Sequence, residues 1–405
     1  MYSHSMAKRM ESVHSDIRGP IYEEAMKMRA RGIDVLRLNT GNPANFGFPM
    51  PPSIRKALFE GADNAVAYCD LKGMPAARAC IAYYHTTKNV RGITDDDVFI
   101  GNGVSELVPM ALETLVYIGD EVLVPSPSYS LWTNSVYLSD AKPVFYTCDE
   151  KSSWFPDVED IKKKITPKTK AIVLINPNNP TGALYPRELL EKIVKIAEEH
   201  RLTILSDEIY DRLIFDSKPH VATASLTDKV LVVTMNGLSK SHVICGFRVG
   251  WMVASGPRDL VEEFKNGVTK LCSMRLCANT LGQSCIPAAL ADRASTEAMI
   301  VPGGRLYEQS KVTVETLNSI EGVSVIPNSA AFYVFPKIDK KRYRIEDDNE
   351  FALSFLKAKN VLIIPGSGFD WPHNDHFRIV MLPQADILKK AMEDLRDYLA
   401  EREKL

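Results

Sequence analysis

Lys240 stands in the run Asn236-Gly-Leu-Ser-Lys-Ser-His-Val-Ile-Cys-Gly-Phe-Arg-Val-Gly250, eight residues ahead of Arg248 in a Gly-x-Arg-x-Gly turn. The apolar run Val230–Met235 just before it reads as a buried parallel strand. A lysine past such a strand end can be held out of water, which lowers its pKa and makes its amine a nucleophile. A neighbouring arginine suits a dianionic phosphate, because its planar fork gives bidentate hydrogen bonds. Taken alone, the same stretch also reads as a strand followed by a solvated polar loop.

Two companion segments end in the same way. Ala171–Asn176 is an apolar strand that runs into the loop Pro177-Asn-Asn-Pro-Thr-Gly182, and Leu202–Asp207 is another that continues Glu-Ile-Tyr210. The first loop could be a plain turn and Asp207 a helix N-cap. Three successive strand ends that carry Asn179, then Asp207 with Tyr210, then Lys240 fit one site better, since ligands of open α/β sheets bind at carboxyl strand ends. Amine and phosphate clamp together are what pyridoxal phosphate needs. Gly101-Asn-Gly-Val-Ser-Glu106 follows a further strand and opens a helix. Its free N–H groups could hold phosphate, or Ser105 could be an N-cap.

The elements that must position these residues are legible in outline. Strands are predicted at 97–100, 121–124, 143–147, 171–176, 202–207, 230–235 and 251–254, alternating with helices such as Arg187–His200. The fold class is therefore α/β, a large domain with a mostly parallel seven-stranded sheet between helices, plus a smaller α+β domain. We expect an arm and part of the small domain over 1–52, the large domain over 53–290, and the small domain over 291–405. The 405 residues, 45% hydrophobic and 25% charged with net charge −2, suit a large core and give no case for nucleic acid or an anionic membrane. No apolar stretch is long enough to span a membrane, and the first residues lack the apolar core of a signal peptide. Seven scattered cysteines suggest reduced thiols in cytoplasm. His373 and His376 read as surface histidines rather than metal ligands, and no metal is expected.

With these stretches in place, the chain resembles the fold-type I, class I/II pyridoxal phosphate aminotransferases from Asp16-Ile-Arg-Gly-Pro20 to Phe377-Arg-Ile379. More narrowly it is similar to bacterial glutamate–pyruvate (alanine) aminotransferases, through Tyr68-Cys-Asp-Leu-Lys-Gly73, Ser273-Met-Arg-Leu-Cys-Ala-Asn279 and Gly303-Gly-Arg-Leu-Tyr-Glu-Gln309 among others. The resemblance implies a Schiff base on Lys240, cofactor phosphate on Gly103, Val104, Ser105 and Arg248, and Tyr129 stacked on the ring. It implies Asp207 on the pyridinium nitrogen, with Asn179 and Tyr210 on the ring oxygen. It also implies Arg378 and Gly41 at the substrate α-carboxylate, and Tyr68 reaching the phosphate of a second subunit in a homodimer. Two departures stand out. Gly237 occupies a position where relatives often have a phosphate-binding serine, which leaves Ser239 to that duty, and Ser15 replaces a frequent aromatic.

The expected reaction is ping-pong transfer of an amino group between alanine/pyruvate and glutamate/2-oxoglutarate, with Lys240 as general base and acid. The substrates are then small amino and 2-oxo acids, with no nucleic acid or membrane partner. A carbon–sulfur lyase on the same fold is the rival chemistry. A transcription regulator would need a DNA-binding domain ahead of residue 16 and is not expected. The second carboxylate of glutamate calls for another cation. Arg18 on the arm is the first choice, with Arg275 and Lys72 as alternatives.

Overall fold

The computed structural model describes residues 6–14, 19–215 and 218–404. Arg18, like Ser15 and Asp16, lies outside them. In chain order the strands are β1 (Leu36–Arg37), β2 (Val98–Asn102), β3 (Glu121–Ser126), β4 (Lys142–Asp149), β5 (Phe155–Pro156), β6 (Thr169–Ile175), β7 (Thr203–Asp207), β8 (Val232–Gly237) and β9 (Val249–Ser255). Six short strands follow: β10 (Val323–Ser324), β11 (Tyr333–Val334), β12 (Lys337–Ile338), β13 (Val361–Leu362), β14 (Ile364–Pro365) and β15 (Phe377–Val380).

One sheet dominates, in the order β2-β9-β8-β7-β6-β3-β4-β5. The pairs from β4 through β3, β6 and β7 to β8 are parallel, while β9 runs antiparallel between β8 and β2. Every residue of β3, β8 and β9 is buried, which is why these segments are apolar without alternation. All seven predicted strands are present. The two-residue β5 adds an eighth at the edge, too short to carry a periodic signal.

Helices cover both faces. After α1 (Pro20–Ala30), which belongs to a separate core, these include α2 (Pro52–Gly61), α3 (Pro75–Thr86), α4 (Val104–Leu115), α5 (Leu131–Leu138), α6 (Val158–Lys164), α7 (Arg187–His200) and α8 (Arg258–Arg275). The predicted bounds of α7 are those observed, and its apolar stripe buries Leu190, Ile193, Val194, Ile196 and Ala197. Asp157 starts α6 by accepting from the N–H groups of Glu159 and Asp160. None of the described helices is long and apolar enough to cross a membrane.

A separate core gathers Ile21, Ala25, Met28 and Leu38 with Leu317, Phe351, Phe355, Leu388 and Leu395. Parallel pairing of β1 with β13 ties the start of the chain to its last third. β15, between β11 and β14, carries Arg378. His376 is not the surface residue expected. Its ring is buried, stacked on Phe335 with centroids 4.9 Å apart, and Nδ1 meets Asp375 at 2.7 Å. Polar neighbours in sequence concealed the apolar partner that folding brings to it; His373 is exposed as expected.

Candidate active site

Ile175, Asp207 and Met235 lie side by side in register at the carboxyl ends of β6, β7 and β8. The loops that carry Asn179, Tyr210 and Lys240 therefore open from one edge of the sheet. Together with β15 and α5 they enclose a cavity of about 420 Å³. Val104, Ser105, Tyr129, Asn179, Asp207, Tyr210, Ser239, Lys240, Arg248, Arg378 and Gly41 all line it.

One end of the cavity is built for an anion. Gly103, at φ +84°, turns the chain into α4, where a side chain would strike the Arg248 guanidinium. A Cβ on Gly250 would meet the Val104 nitrogen at 2.5 Å, so glycine there lets the start of α4 press against β9. Gly103 is the residue that precedes the helix and no side chain caps it, so the N-cap role open to Ser105 is not taken. The helix N–H groups, Ser105 and Arg248 face the same space. Arg248 donates to the Cys245 carbonyl at 2.9 Å and has no carboxylate partner among the described residues.

The middle of the cavity holds a buried acid. Asp207 accepts from Trp132 Nε1 at 3.2 Å and from the Ile209 N–H at 3.2 Å. Burial pushes its carboxyl up to about 6 despite these bonds, because no cation pairs with it directly. The Tyr210 hydroxyl meets that of Tyr333 at 2.9 Å, and burial raises its pKa well above the usual phenol value.

Lys240 Nζ donates to the Gly41 carbonyl at 2.9 Å. Its pKa does not fall as expected. Burial does pull it down, but Tyr333, Cys245 and Tyr129 outweigh that pull and the amine sits above its ordinary value. Opposite, Arg378 is 2% exposed between the rings of Tyr333 and Phe369, each 4.7 Å from its guanidinium carbon. It donates to Asn179 Oδ1 at 3.0 Å and to the Asn39 carbonyl, and has no acid partner among the described residues. A Cβ on Gly41 would collide with Tyr333 and Phe332.

A match to the family model for aminotransferase class I and II runs over residues 33–395. The chain belongs to the class I and II aminotransferases. This aminotransferase is 47% identical to glutamate-pyruvate aminotransferase AlaA of Escherichia coli, over 97% of each chain. It is 42% identical to an alanine aminotransferase of Mycobacterium bovis, over 98% of this chain and 92% of that one. A solved alanine aminotransferase from Pyrococcus furiosus superposes with a TM-score of 0.92 at 37% identity, over 98% of this chain and all of the other.

Three residues that could not be placed from sequence complete the aminotransferase pocket. Trp132 orients Asp207, Tyr333 joins Tyr210 to Arg378, and Cys245 donates to the Ser239 carbonyl at 2.8 Å. Trp132 and Tyr333 come from segments without a motif, and Cys245 from the Lys240 stretch itself, where nothing in its type marked it out. Tyr68 is 80% exposed and outside this cavity. The alternative cations are engaged elsewhere: Arg275 with Glu106 at 2.8 Å and Lys72 with Asp96 at 2.6 Å. Neither lines this chain's own cavity.

Proposed function

We propose that this enzyme moves amino groups between alanine/pyruvate and glutamate/2-oxoglutarate, using pyridoxal phosphate. The observation that carries the reading is a single cavity lined by an unpaired phosphate-type cradle, a buried carboxylate, a lysine amine and a buried arginine. The names of the relatives at 47% and 42% identity support the choice of substrates.

The residues fit that cofactor. Val104, Ser105, Ser239 and Arg248 would take the phosphate, with Gly103 leaving room for the arginine. Asp207, raised for want of a cation, would gain one in the ring nitrogen. Tyr129 would stack on the ring, and Asn179 and Tyr210 would donate to its oxygen. When bound, the cofactor supplies an aldehyde carbon and a ring that withdraws electrons from the substrate's Cα. Arg378 holds the α-carboxylate through two parallel N–H bonds and so sets which Cα bond faces Lys240. The Lys240 amine takes the Cα proton and returns it, as general base and then acid. Buried rings around Arg378 keep water from the proton in transit.

We read the assembly as a homodimer in which Tyr68 of each subunit reaches the phosphate of the other. Exposed Phe59, Val66 and Tyr68 on one segment, and exposed Met274 and Leu276 on another, support this. The two segments are joined by the Thr280 hydroxyl on the Ala65 carbonyl at 2.7 Å. An apolar face of this kind marks a protein interface. The division into 1–52, 53–290 and 291–405 belongs to the same proposal, supported by the separate core that links the chain's start to its end.

A panel of amino donors, with pyruvate and 2-oxoglutarate as acceptors, tests the reading. Alanine and glutamate should lead it. Ammonia release without an acceptor would establish the carbon–sulfur lyase instead.

A further inference from the structure

The N-terminal arm reaches the mouth of the pocket. Its short 3-10 turn, Lys8–Ser12, packs against α5, where Arg9 pairs with Asp140 at 3.1 Å. Two residues on, one side chain grips His14 at both main-chain groups. The His14 N–H donates to Asn134 Oδ1 at 2.9 Å, and its carbonyl accepts from Asn134 Nδ2 at 2.5 Å. A carboxamide that engages the donor and the acceptor of one residue fixes that residue's position and orientation. Both residues line the cavity that contains Lys240 and Arg378, and His14 is exposed at its rim.

Among the described residues around the cavity, four can carry positive charge: His14, Lys240, Arg248 and Arg378. On the proposed function, three already have duties: proton transfer, phosphate and α-carboxylate. Glutamate and 2-oxoglutarate bring a second carboxylate, which loses hydration on entry and needs a donor. The geometry points to His14, held by Asn134, as the residue that receives this second carboxylate. The inference rests on the alanine/glutamate reading and says how one pocket serves both. A buried arginine left without its anion would penalise alanine. An imidazole exposed at the rim stays hydrated when the small substrate binds. Asn134 is the positioning residue. It acts through the His14 main chain and leaves the imidazole free for substrate.

Half-reactions of wild type, His14→Ala and Asn134→Ala with each of the four substrates test this. His14→Ala should lose about tenfold or more in kcat/KM for glutamate and 2-oxoglutarate, the scale of one hydrogen bond to a charged group. Alanine and pyruvate should change by less than about threefold, within the range of indirect effects. Asn134→Ala should raise KM for the dicarboxylates with kcat nearly kept. Glutarate and propionate, which cannot react, give a second readout as inhibitors. Wild type should prefer glutarate, and His14→Ala should erase most of that preference. Equal losses for all four substrates, or no loss, together with an unchanged glutarate preference, overturn the assignment of His14 and leave the proposed function standing. A wild type inactive with both substrate pairs overturns the proposed function, and the inhibitor comparison then still decides His14.

Discussion

Asp207 is kept at a cost to the folded protein. Its carboxyl titrates near 6 in the pocket, against about 3.9 in an unfolded chain, so between those values the native state binds more protons. Stability must then fall as pH rises through that window, by up to roughly 3 kcal/mol for a shift of this size. Asp207→Asn should therefore raise the melting temperature of the cofactor-free protein at pH 7 and have little effect near pH 4, while transamination collapses. A thermal scan at both pH values checks it, and an unchanged neutral Tm would show that the carboxylate is not strained. Lys240 makes the complementary prediction. Borohydride should fix the cofactor to the peptide that contains Lys240 in wild type, and to none in Lys240→Ala, which retains noncovalent binding at the phosphate cradle. Asp207 and Lys240 were legible in sequence because each ends an apolar strand, and strand ends in a parallel sheet converge. Trp132, Tyr333 and His14 were not, since nothing local distinguishes a pocket tryptophan, tyrosine or histidine from one that packs elsewhere. The direction of the Lys240 pKa is hidden for the same reason, since it depends on Tyr333, Cys245 and Tyr129, which folding gathers around the amine.

At the scale of elements, the site depends on how firmly the ends of β7 and β8 are joined. Asp211, one residue past Tyr210, accepts from Asn236 Nδ2 at 2.7 Å and from the Tyr84 hydroxyl at 2.6 Å, and pairs with Lys88. One buried carboxylate thus links the loop after β7, the last turns of β8 before Lys240, and α3. Burial would raise the Asp211 carboxyl, but Lys88 and the bonds it accepts hold it well below the usual carboxylate range. A depressed acid contributes stability above its unfolded pKa and loses it as pH falls. Asp211→Ala should cost about 3 kcal/mol or more at pH 7, because Lys88 and Asn236 lose their partner. That loss should shrink as the pH falls below about 4, where the unfolded carboxyl takes up its proton. Urea titrations at two pH values measure it, and a pH-independent loss would mean packing rather than charge is responsible. The strands themselves were readable because burial on both faces leaves unbroken apolar runs. The six short strands β10 to β15, two to four residues each, are too brief for any period to show.

At the scale of the whole molecule, the cavity of one chain contains a phosphate cradle but not Tyr68, which stands exposed outside it. If Tyr68 serves the neighbouring subunit, each site of a dimer draws Lys240 from one chain and Tyr68 from the other. Tyr68→Ala should then weaken cofactor binding at both sites of its homodimer, and Lys240→Ala should silence both sites of its own. A hybrid of the two variants behaves differently. The site built on the Tyr68→Ala subunit has its own Lys240 and receives an intact Tyr68 across the interface, so one complete site forms per hybrid. The other site carries both defects. Unfolding and refolding the two variants together at equal concentration should yield about half hybrids by random pairing of a symmetric dimer. Roughly a quarter of wild-type activity should return at low cofactor, where neither parent is active. Cofactor titration should show that fraction binding with wild-type affinity. Recovery no greater than the sum of the parents, with hybrids demonstrated by a mass tag, would place Tyr68 in its own subunit's service or in none.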